Sequence, residues 1–174
     1  MNKIVSLLIF FFCMNTSLSQ TFHDISIKGI DGETINLSDF KGQNLLIVNV
    51  ASFCGYTSQY TELQELHDSY SNLTVIGVPC NQFGFQEPGN AKEIQTFCQS
   101  KYSIEFVLTE KTKVKGNSKH PLYKWLTDKN LNGKDNYSIS WNFNKFLVGK
   151  DGQLIAHYGS SVSPLDEKIT SQLK

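Results

Sequence analysis

The sequence predicts an α/β fold in which a central mixed β-sheet is flanked by helices. Residues 45–53 and 73–78 are near-continuous apolar runs rich in β-branched side chains, which is typical of strands buried on both faces. Between these runs, apolar residues recur at helical spacing over residues 57–70. Two such strands joined by one helix form a βαβ unit, whose crossover is expected to be right-handed.

N-terminal to this unit, the sequence predicts a β-hairpin over residues 22–37. Residues 24–27 and 34–37 alternate polar and apolar side chains on either side of a glycine-containing turn at residues 29–32. We expect this hairpin to be an addition to the central sheet.

The chain beyond the βαβ unit continues to alternate between helix and strand patterns. The predicted elements are, in order, a helix from about Asn90 to Tyr102, a short strand at 106–108, a short helix after Pro121, a strand at 141–148, its hairpin partner at 153–158 and a closing helix at 164–173. Residues 109–118 and 130–136 are predicted to be surface loops. Two βα units followed by an antiparallel hairpin and a last helix form the thioredoxin arrangement. Here it is enlarged by the N-terminal hairpin and by an insertion around residues 83–126.

Length and composition indicate one globular domain. The chain has 174 residues, of which 40% are hydrophobic and 18% are charged, as is ordinary for soluble proteins. The 16 basic residues are all lysines and balance 16 acidic residues, so no excess of positive charge favours nucleic-acid binding. The absence of arginine also disfavours specific binding of carboxylate-bearing ligands, because arginine is the residue that holds carboxylates directionally.

The first 19 residues predict a secretory signal peptide. Lys3 precedes an apolar run at residues 4–14, and Ser17 and Ser19 place small side chains at the −3 and −1 positions of a cleavage site before Gln20. An uncleaved anchor is the alternative, but a run of about 11 residues is too short for a bilayer, which needs about 20. We therefore expect an exported domain at residues 20–174, periplasmic or extracellular, without stable membrane insertion.

Three cysteines remain once Cys13 is removed with the signal peptide: Cys54, Cys80 and Cys98. Three cannot all pair, so either one is free or one pair is a working redox couple. Cys54 follows the first buried strand and precedes a helix for which Thr57 is the expected N-cap. Reactive groups gather at the carboxyl edge of such sheets, and a helix N-terminus lowers the pKa of a thiol. Cys54 is therefore a candidate reactive thiolate, with a small buried cysteine as the alternative.

Four segments of the sequence resemble motifs of the glutathione peroxidase family. They are residues 49–57, 79–89, 120–123 and 141–148, and the resemblance as a whole covers residues 22–174. It implies an enzyme that reduces hydrogen peroxide and organic or lipid hydroperoxides. It also implies a catalytic tetrad, carried by Cys54, Gln82, Trp141 and Asn142. We expect no cofactor.

The residue types of this tetrad suit peroxide reduction. A thiolate that attacks the O–O bond needs hydrogen-bond donors around the sulfur and the leaving oxygen. The Gln82 and Asn142 amides and the Trp141 indole all supply N–H groups. Taken singly, each of these residues is explained by packing or by loop hydrogen bonds. Gln82 follows a predicted strand at the same sheet edge as Cys54, and Trp141 and Asn142 open an antiparallel strand that reaches this edge, so we expect the four to meet.

Cys98 is the expected resolving cysteine. A sulfenic acid at Cys54 condenses readily with a nearby thiol, and residues 97–102 resemble the region that carries the resolving cysteine in thioredoxin-dependent members of the family. Cys98 is predicted on a helix, so local unwinding is expected before it reaches Cys54. A half-buried structural cysteine is the alternative, and Cys80 is interpreted as structural. Because arginine is absent, a thioredoxin-like protein is favoured over glutathione as the reductant.

Two other functions occur on a thioredoxin fold. A thiol–disulfide oxidoreductase needs Cys-x-x-Cys, but position 57 is Thr57. A copper-assembly protein needs Cys-x-x-x-Cys, but position 58 is Ser58. The four histidines are scattered and predict no metal site. The chain also lacks the long loop used for tetramer contacts in some relatives, so we expect a monomer whose open site admits bulky hydroperoxides.

Overall fold

The structure, a computed structural model, describes residues 21–173. The predicted signal peptide, residues 1–19, and the expected cleavage before Gln20 lie outside the described residues. The described part contains a small N-terminal hairpin and a five-stranded mixed sheet covered by helices on both faces. The predicted thioredoxin-like α/β fold is confirmed.

The N-terminal hairpin pairs β1 (Ser26–Lys28) with β2 (Thr34–Asn36) in antiparallel orientation. The strands of the main sheet are β3 (Asn44–Val50), β4 (Leu73–Pro79), β5 (Val107–Leu108), β6 (Lys145–Val148) and β7 (Leu154–Tyr158). Their order across the sheet is β5-β4-β3-β6-β7. Strands β3, β4 and β5 are parallel, whereas β6 is antiparallel to β3 and β7 is antiparallel to β6. This is the predicted βαβ unit followed by an antiparallel hairpin.

Within residues 21–173, five helices accompany the sheet. They are α1 (Gln59–Ser69), α2 (Ala91–Tyr102), α3 (Pro121–Thr127), α4 (Lys129–Asn132) and α5 (Glu167–Thr170). Short 3-10 turns lie at Phe22–Asp24 and Leu37–Phe40. Helices α1, α2 and α5 pack on one face of the sheet, and α3 packs on the other.

Strand β3 is the centre of the molecule, because all seven of its residues are buried. Successive side chains of a strand point to opposite faces. Ile47 accordingly joins the apolar cluster that contains Trp125, and Leu46 joins the cluster that contains Tyr60. An apolar side chain is therefore needed at nearly every position, which explains the near-continuous apolar run in the sequence.

The prediction that Thr57 caps helix α1 is wrong. The helix begins at Gln59, and Ser58 occupies the N-cap position without a side-chain capping bond. The Thr57 hydroxyl instead accepts a hydrogen bond from the Cys54 backbone N–H and donates one to the Ala51 carbonyl, both at 2.9 Å. The Thr57 side chain therefore closes a turn around Cys54 and does not cap helix α1.

The prediction that Trp141 and Asn142 open a strand is also wrong. Strand β6 begins at Lys145, and the four residues before it form a turn in which Phe143 has a φ of 62°. That left-handed conformation is unfavourable for a bulky side chain. It persists here because the turn is bound to Asn49 of β3, whose carbonyl accepts a hydrogen bond from Phe143 N–H at 2.5 Å.

Two further boundaries differ from the sequence prediction. Residues 130–136, expected to form a surface loop, contain part of α4. Buried Asn132 stabilises this segment, because its side-chain amide donates to the carbonyls of Leu126 and Asp135. The closing helix predicted at 164–173 is limited to α5, because the Asp166 carboxylate accepts from Lys168 N–H and fixes the helix start there.

Lys145 is a charged residue inside the sheet, with its side chain fully buried. Its Nζ donates a 2.8 Å hydrogen bond to the carbonyl of Phe143. Burial lowers the Lys145 pKa from 10.5 to about 7, and the negative charge of Glu62 opposes this shift. An unfolded chain therefore holds a proton on this lysine between about pH 7 and pH 10.5 that the folded chain has released.

We predict that Lys145 makes the protein more stable as pH rises from about 7 to about 8.5, since the unfolded state binds more protons in this window. Lys145→Met should reduce this positive slope by up to about 1.4 kcal/mol per pH unit. Urea unfolding at several pH values measures the slope. The window stops below pH 9 because burial raises the pKa values of Cys80 and Cys98, which acts in the opposite direction.

The matched control is Lys150→Met, since Lys150 is an exposed lysine in the turn after β6. This variant should keep the slope of the unaltered protein. Equal slopes in the unaltered protein and the Lys145→Met variant would contradict the assignment.

Candidate active site

Cys54 lies in the loop between β3 and α1, at the carboxyl edge of the sheet, and it is 9% exposed. The Thr57 bonds described above close the loop around it. The Cys54 sulfur accepts a 3.4 Å hydrogen bond from the backbone N–H of Tyr56. A backbone N–H directed at sulfur stabilises a negative charge there. The loop therefore suits a thiolate that is shielded but reachable from solvent.

The loop after β4 is bound to the Cys54 loop by three contacts. Phe53 N–H donates to the Gln86 carbonyl at 3.1 Å, and the Ser52 hydroxyl donates to the Glu87 carboxylate at 3.1 Å. At the base of the loops, Cys80 N–H donates to the Val50 carbonyl at 3.0 Å. The loops at the carboxyl ends of β3 and β4 are thus joined into one site, as expected for neighbouring parallel strands.

The Gln82 side chain is engaged with the loop after β5. Its carbonyl oxygen accepts from Val114 N–H at 2.7 Å and Lys115 N–H at 3.0 Å, and its Nε2 donates to the Lys115 carbonyl at 3.1 Å. The Cys80 thiol also donates weakly to Gln82 Oε1, at 3.7 Å. In this arrangement the Gln82 amide is directed at the neighbouring loop rather than hydrogen-bonded to Cys54.

Asn142 and Trp141 reach the same edge on the turn before β6. The fully buried Asn142 side chain donates from Nδ2 to the Gln86 side chain at 3.0 Å. Since Gln86 also binds Phe53 through its carbonyl, Asn142 is connected to the Cys54 loop through a single residue. Trp141 is 38% exposed and packs against Phe83, with ring centroids 6.1 Å apart.

The structure therefore joins the loops that carry the four predicted tetrad residues. No hydrogen bond within residues 21–173 links the side chain of Gln82, Trp141 or Asn142 directly to the Cys54 sulfur. The catalytic roles of the four residues stay predictions.

Asn49 is a site residue that the sequence analysis missed. Its Nδ2 donates to the Trp141 carbonyl and its Oδ1 accepts from Asn144 N–H, both at 3.0 Å. Asn144 donates from its own Nδ2 to the same Trp141 carbonyl at 2.8 Å. The signal was available, because Asn49 is a polar residue within an apolar strand and a buried polar side chain needs partners.

Glu87 is the second residue missed. It is 1% exposed, and burial raises the pKa of its carboxyl group, while hydrogen bonds from Ser52 and the positive charge of Lys111 oppose that rise. The Lys111 ammonium donates to the backbone carbonyls of Glu87, Pro88 and Gly89. A buried carboxyl group with a raised pKa that lines a cleft is a candidate functional group.

The three cysteines of the described chain are all free and buried. Cys54 and Cys98 belong to the apolar cluster on one face of the sheet, together with Tyr60, whereas Cys80 belongs to the cluster on the other face. Burial raises the pKa of the Cys98 thiol to about 11, and the nearby Tyr60 hydroxyl offsets part of this rise. Burial also raises the pKa of Cys80.

An apolar cleft of about 320 Å³ opens beside Ser52 and Phe53 of the Cys54 loop. It is lined by residues of the Cys54 loop, the loop after β4 and helix α2, among them Ser52, Phe53, Glu87, Ile94 and Phe97. The rims of the site carry large exposed aromatic side chains, with Phe53 66% exposed and Phe85 83% exposed. Exposed aromatics around a cleft favour apolar ligands.

Within residues 21–173, no group of three or more His, Cys, Asp or Glu side chains is arranged to hold a metal ion. The same described range contains no helix with the length and hydropathy needed to cross a membrane.

The fold and site define a thiol-dependent redox protein with Cys54 in a loop at the carboxyl edge of a thioredoxin-like sheet. Residues 22–127 match the family described as glutathione peroxidase. The chain is 43% identical over 160 residues to hydroperoxy fatty acid reductase of Synechocystis sp., covering 87% of this chain and 94% of that protein. It is 44% identical over 155 residues to a probable phospholipid hydroperoxide glutathione peroxidase of Citrus sinensis, covering 87% and 92%.

A solved structure agrees with these sequence relatives. The crystal structure of T. cruzi GPX1 superimposes with a TM-score of 0.68 at 29% identity, covering 88% of this chain and 94% of that one. The chain belongs to the glutathione peroxidase family and is a peroxidase.

We predict that Asn49→Ala destabilises the protein by about 1–3 kcal/mol, since buried partners of the turn lose their hydrogen bonds. It should also slow oxidation of Cys54 by peroxide, because the turn carries Trp141 and Asn142. Urea unfolding and single-turnover peroxide consumption measure the two effects.

The control is Asn44→Ala at the opposite end of β3, where a buried asparagine lies far from the turn. This variant should keep the rate of Cys54 oxidation. Equal slowing in both variants would mean that the turn has no specific part in the reaction.

Proposed function

We propose that this peroxidase reduces hydrogen peroxide and organic or lipid hydroperoxides through a sulfenic acid at Cys54. Cys98 resolves the sulfenic acid to a disulfide, and a thioredoxin-like protein restores the dithiol. The observation that carries the proposal is the position of the Cys54 sulfur. It lies at the carboxyl edge of β3, held against Tyr56 N–H, next to the loop that carries Gln82 and near the turn that carries Trp141 and Asn142.

In the first step, the Cys54 thiolate attacks one peroxide oxygen and the O–O bond breaks. The products are the sulfenic acid and a hydroxide or alkoxide, which takes a proton to become water or an alcohol. Donors that stabilise the leaving oxygen accelerate this step. Catalytic hydrogen bonds are often formed only in the substrate complex. We therefore expect the Gln82 amide to leave Lys115 and turn toward the peroxide when substrate binds.

Two features favour bulky apolar hydroperoxides as substrates. The cleft beside the Cys54 loop is lined largely by apolar groups, and Phe53, Phe85 and Trp141 are exposed around the site. The relatives from Synechocystis and Citrus sinensis are named for hydroperoxy fatty acid and phospholipid hydroperoxide substrates. Lipid hydroperoxides are accordingly proposed beside hydrogen peroxide itself.

Cys98 is favoured over Cys80 as the resolving residue because it shares an apolar cluster with Cys54, whereas Cys80 lies on the other face of the sheet. Cys98 is fully buried on the inner side of α2, so the helix must open locally before the two sulfurs meet. A disulfide requires Cα atoms within about 7 Å of each other. Oxidation of Cys54 would thus be followed by a conformational step.

The reductant is proposed from composition. Glutathione carries two carboxylates, and the chain has no arginine to bind them through paired hydrogen bonds. A disulfide between Cys54 and Cys98 would instead be attacked by the thiolate of a thioredoxin-like protein. We further propose that the enzyme is monomeric and exported, with the reductant supplied in the same compartment.

The donor roles generate one prediction. Gln82→Ala and Asn142→Ala should each slow oxidation of Cys54 by about 10- to 1,000-fold, the usual effect of removing one preorganised donor. Stopped-flow measurement of thiol loss after mixing with peroxide gives this rate directly. Gln153→Ala, an exposed glutamine before β7, is the control and should react at the unaltered rate. Unchanged rates in both donor variants would reject the proposed site.

The cysteine roles generate another prediction. Cys54→Ser should abolish peroxide reduction, because a serine hydroxyl is far less acidic than a thiol. Cys98→Ser should still undergo the first oxidation of Cys54, but thioredoxin-driven turnover should collapse and Cys54 should over-oxidise to sulfinic acid at high peroxide.

Peptide mapping by mass spectrometry distinguishes the outcomes, with Cys80→Ser as the matched control. A Cys54–Cys98 disulfide with free Cys80 supports the proposal. A Cys54–Cys80 disulfide would move the resolving role to Cys80. No disulfide at all, with intact turnover on glutathione, would mean a one-cysteine mechanism.

A further inference from the structure

Behind Cys54 lies a group of three buried titratable side chains: Glu87, Tyr60 and Cys98. Glu87 is 1% exposed, and the other two are fully buried. Within the described residues, Glu87 Oε1 has no hydrogen-bond partner, whereas the Tyr60 hydroxyl lies next to the Cys98 thiol. Leaving a buried carboxylate oxygen without a partner is costly, so its retention calls for an explanation.

Glu87 is near both segments that carry the cysteines of the proposed redox couple. On one side, its Oε2 accepts from the hydroxyl of Ser52, two residues before Cys54. On the other side, Glu87 lines the cleft together with Ile94 of α2. Cys98 follows Ile94 by four residues and therefore lies one turn further along the same buried helix face.

The charged and titratable groups around Glu87 come from several elements. Lys111, after β5, supplies a positive charge, Cys98 and Tyr60 face it from α2 and α1, and Cys80 lies after β4. Glu93, in the first turn of α2, also lines the cleft but is exposed. The negative charge of Glu87 contributes to raising the Cys98 pKa. This coupling is mutual, so a proton on either group favours deprotonation of the other.

The resolving step needs a base and then an acid. A thiol with a pKa of about 11 is ionised in only about one molecule in ten thousand at pH 7. The hydroxide that leaves the sulfenic acid also needs a proton. A carboxylate near the path of the thiol can meet both needs.

We propose that Glu87 is the proton acceptor and then the proton donor of the resolving step, a role that rests on the proposed function of Cys98. As α2 opens, the Glu87 carboxylate takes the proton from the Cys98 thiol. The Cys98 thiolate attacks the Cys54 sulfur, forming the S–S bond and breaking the S–O bond. The departing hydroxide takes the proton from the Glu87 carboxyl group. One sulfenic acid and one thiol thus yield one disulfide and one water, and Glu87 returns to its starting state.

The test uses the full chain with Glu87→Gln, which keeps the size of the side chain and an oxygen that can accept from Ser52. Reduced protein is mixed with one equivalent of hydrogen peroxide, quenched with a thiol-alkylating reagent at successive times, and mapped by mass spectrometry. The rates of Cys54 oxidation and of Cys54–Cys98 disulfide formation come from the same samples. We expect disulfide formation to slow by about 100-fold or more relative to Cys54 oxidation, within the usual range for a lost acid–base group.

The pH profile separates a proton-transfer role from a structural one. In the unaltered protein, disulfide formation should vary little with pH above the Glu87 pKa. In Glu87→Gln it should rise about tenfold per pH unit toward the thiol pKa, because the reaction then depends on spontaneous ionisation of Cys98. Glu87→Asp, which keeps the carboxylate, should recover part of the rate and the flat profile. Glu65→Gln, at an exposed carboxylate on α1, is the matched control and should behave as the unaltered protein.

The outcomes separate this proposal from the proposed function. A normal rate and a flat pH profile of disulfide formation in Glu87→Gln would overturn the role of Glu87 while leaving Cys98 as the resolving residue. Equal slowing of both rates with an unchanged pH profile would also overturn it, because Glu87 would then act only by holding the Ser52 loop. The absence of a Cys54–Cys98 disulfide in the unaltered protein would overturn the proposed function itself.

Discussion

The arrangement of the active site depends on the hydrogen bonds between Asn49 and the turn before β6. Asn49 is a fully buried polar residue near the end of the central strand, and such a side chain is tolerated only when its polar atoms are bound. The turn supplies partners from residues more than 90 positions away in the sequence. These hydrogen bonds hold the turn in a conformation with a positive φ at Phe143, which is unfavourable for a bulky side chain. One polar side chain therefore fixes the position of Trp141 and Asn142 relative to the Cys54 loop.

The fold was largely predictable because its strongest signals are local. The apolar run of β3 and the helical spacing of α1 are each read within one segment, and the parallel pairing of β3 and β4 follows from their connection. Helix α2 was predicted almost to the residue, and the structure shows that Asn90 and Glu93 form a capping box at its start. Three of the boundaries that differed involve Thr57, Asn132 and Asp166, whose side chains bond to particular backbone groups. Composition alone does not reveal which backbone groups these side chains bind.

The candidate site was predictable in its residue types but less so in its contacts. Cys54 could be located because a strand followed by a cysteine and a helix is a recognisable pattern. Glu87 could not be assigned in the same way, because its importance comes from burial against segments distant in sequence. The position of Asn49 in an apolar strand indicates that it needs buried partners but not which residues supply them. The engagement of Gln82 with Val114 and Lys115 is likewise a tertiary contact, which sequence spacing does not encode.

The Gln82 side chain behaves toward the loop after β5 as a peptide unit of a neighbouring strand would. Its hydrogen bonds with that loop go to main-chain atoms, two N–H groups and one carbonyl. Hydrogen bonds to main-chain atoms do not depend on which side chains occupy the contacted positions. They do depend on the length of the segment that places those main-chain atoms beside Gln82. During evolution, the stretch between β5 and α3 can therefore change its lysines without disturbing Gln82. A gain or loss of residues there would shift the backbone register on which the resting position of this amide depends.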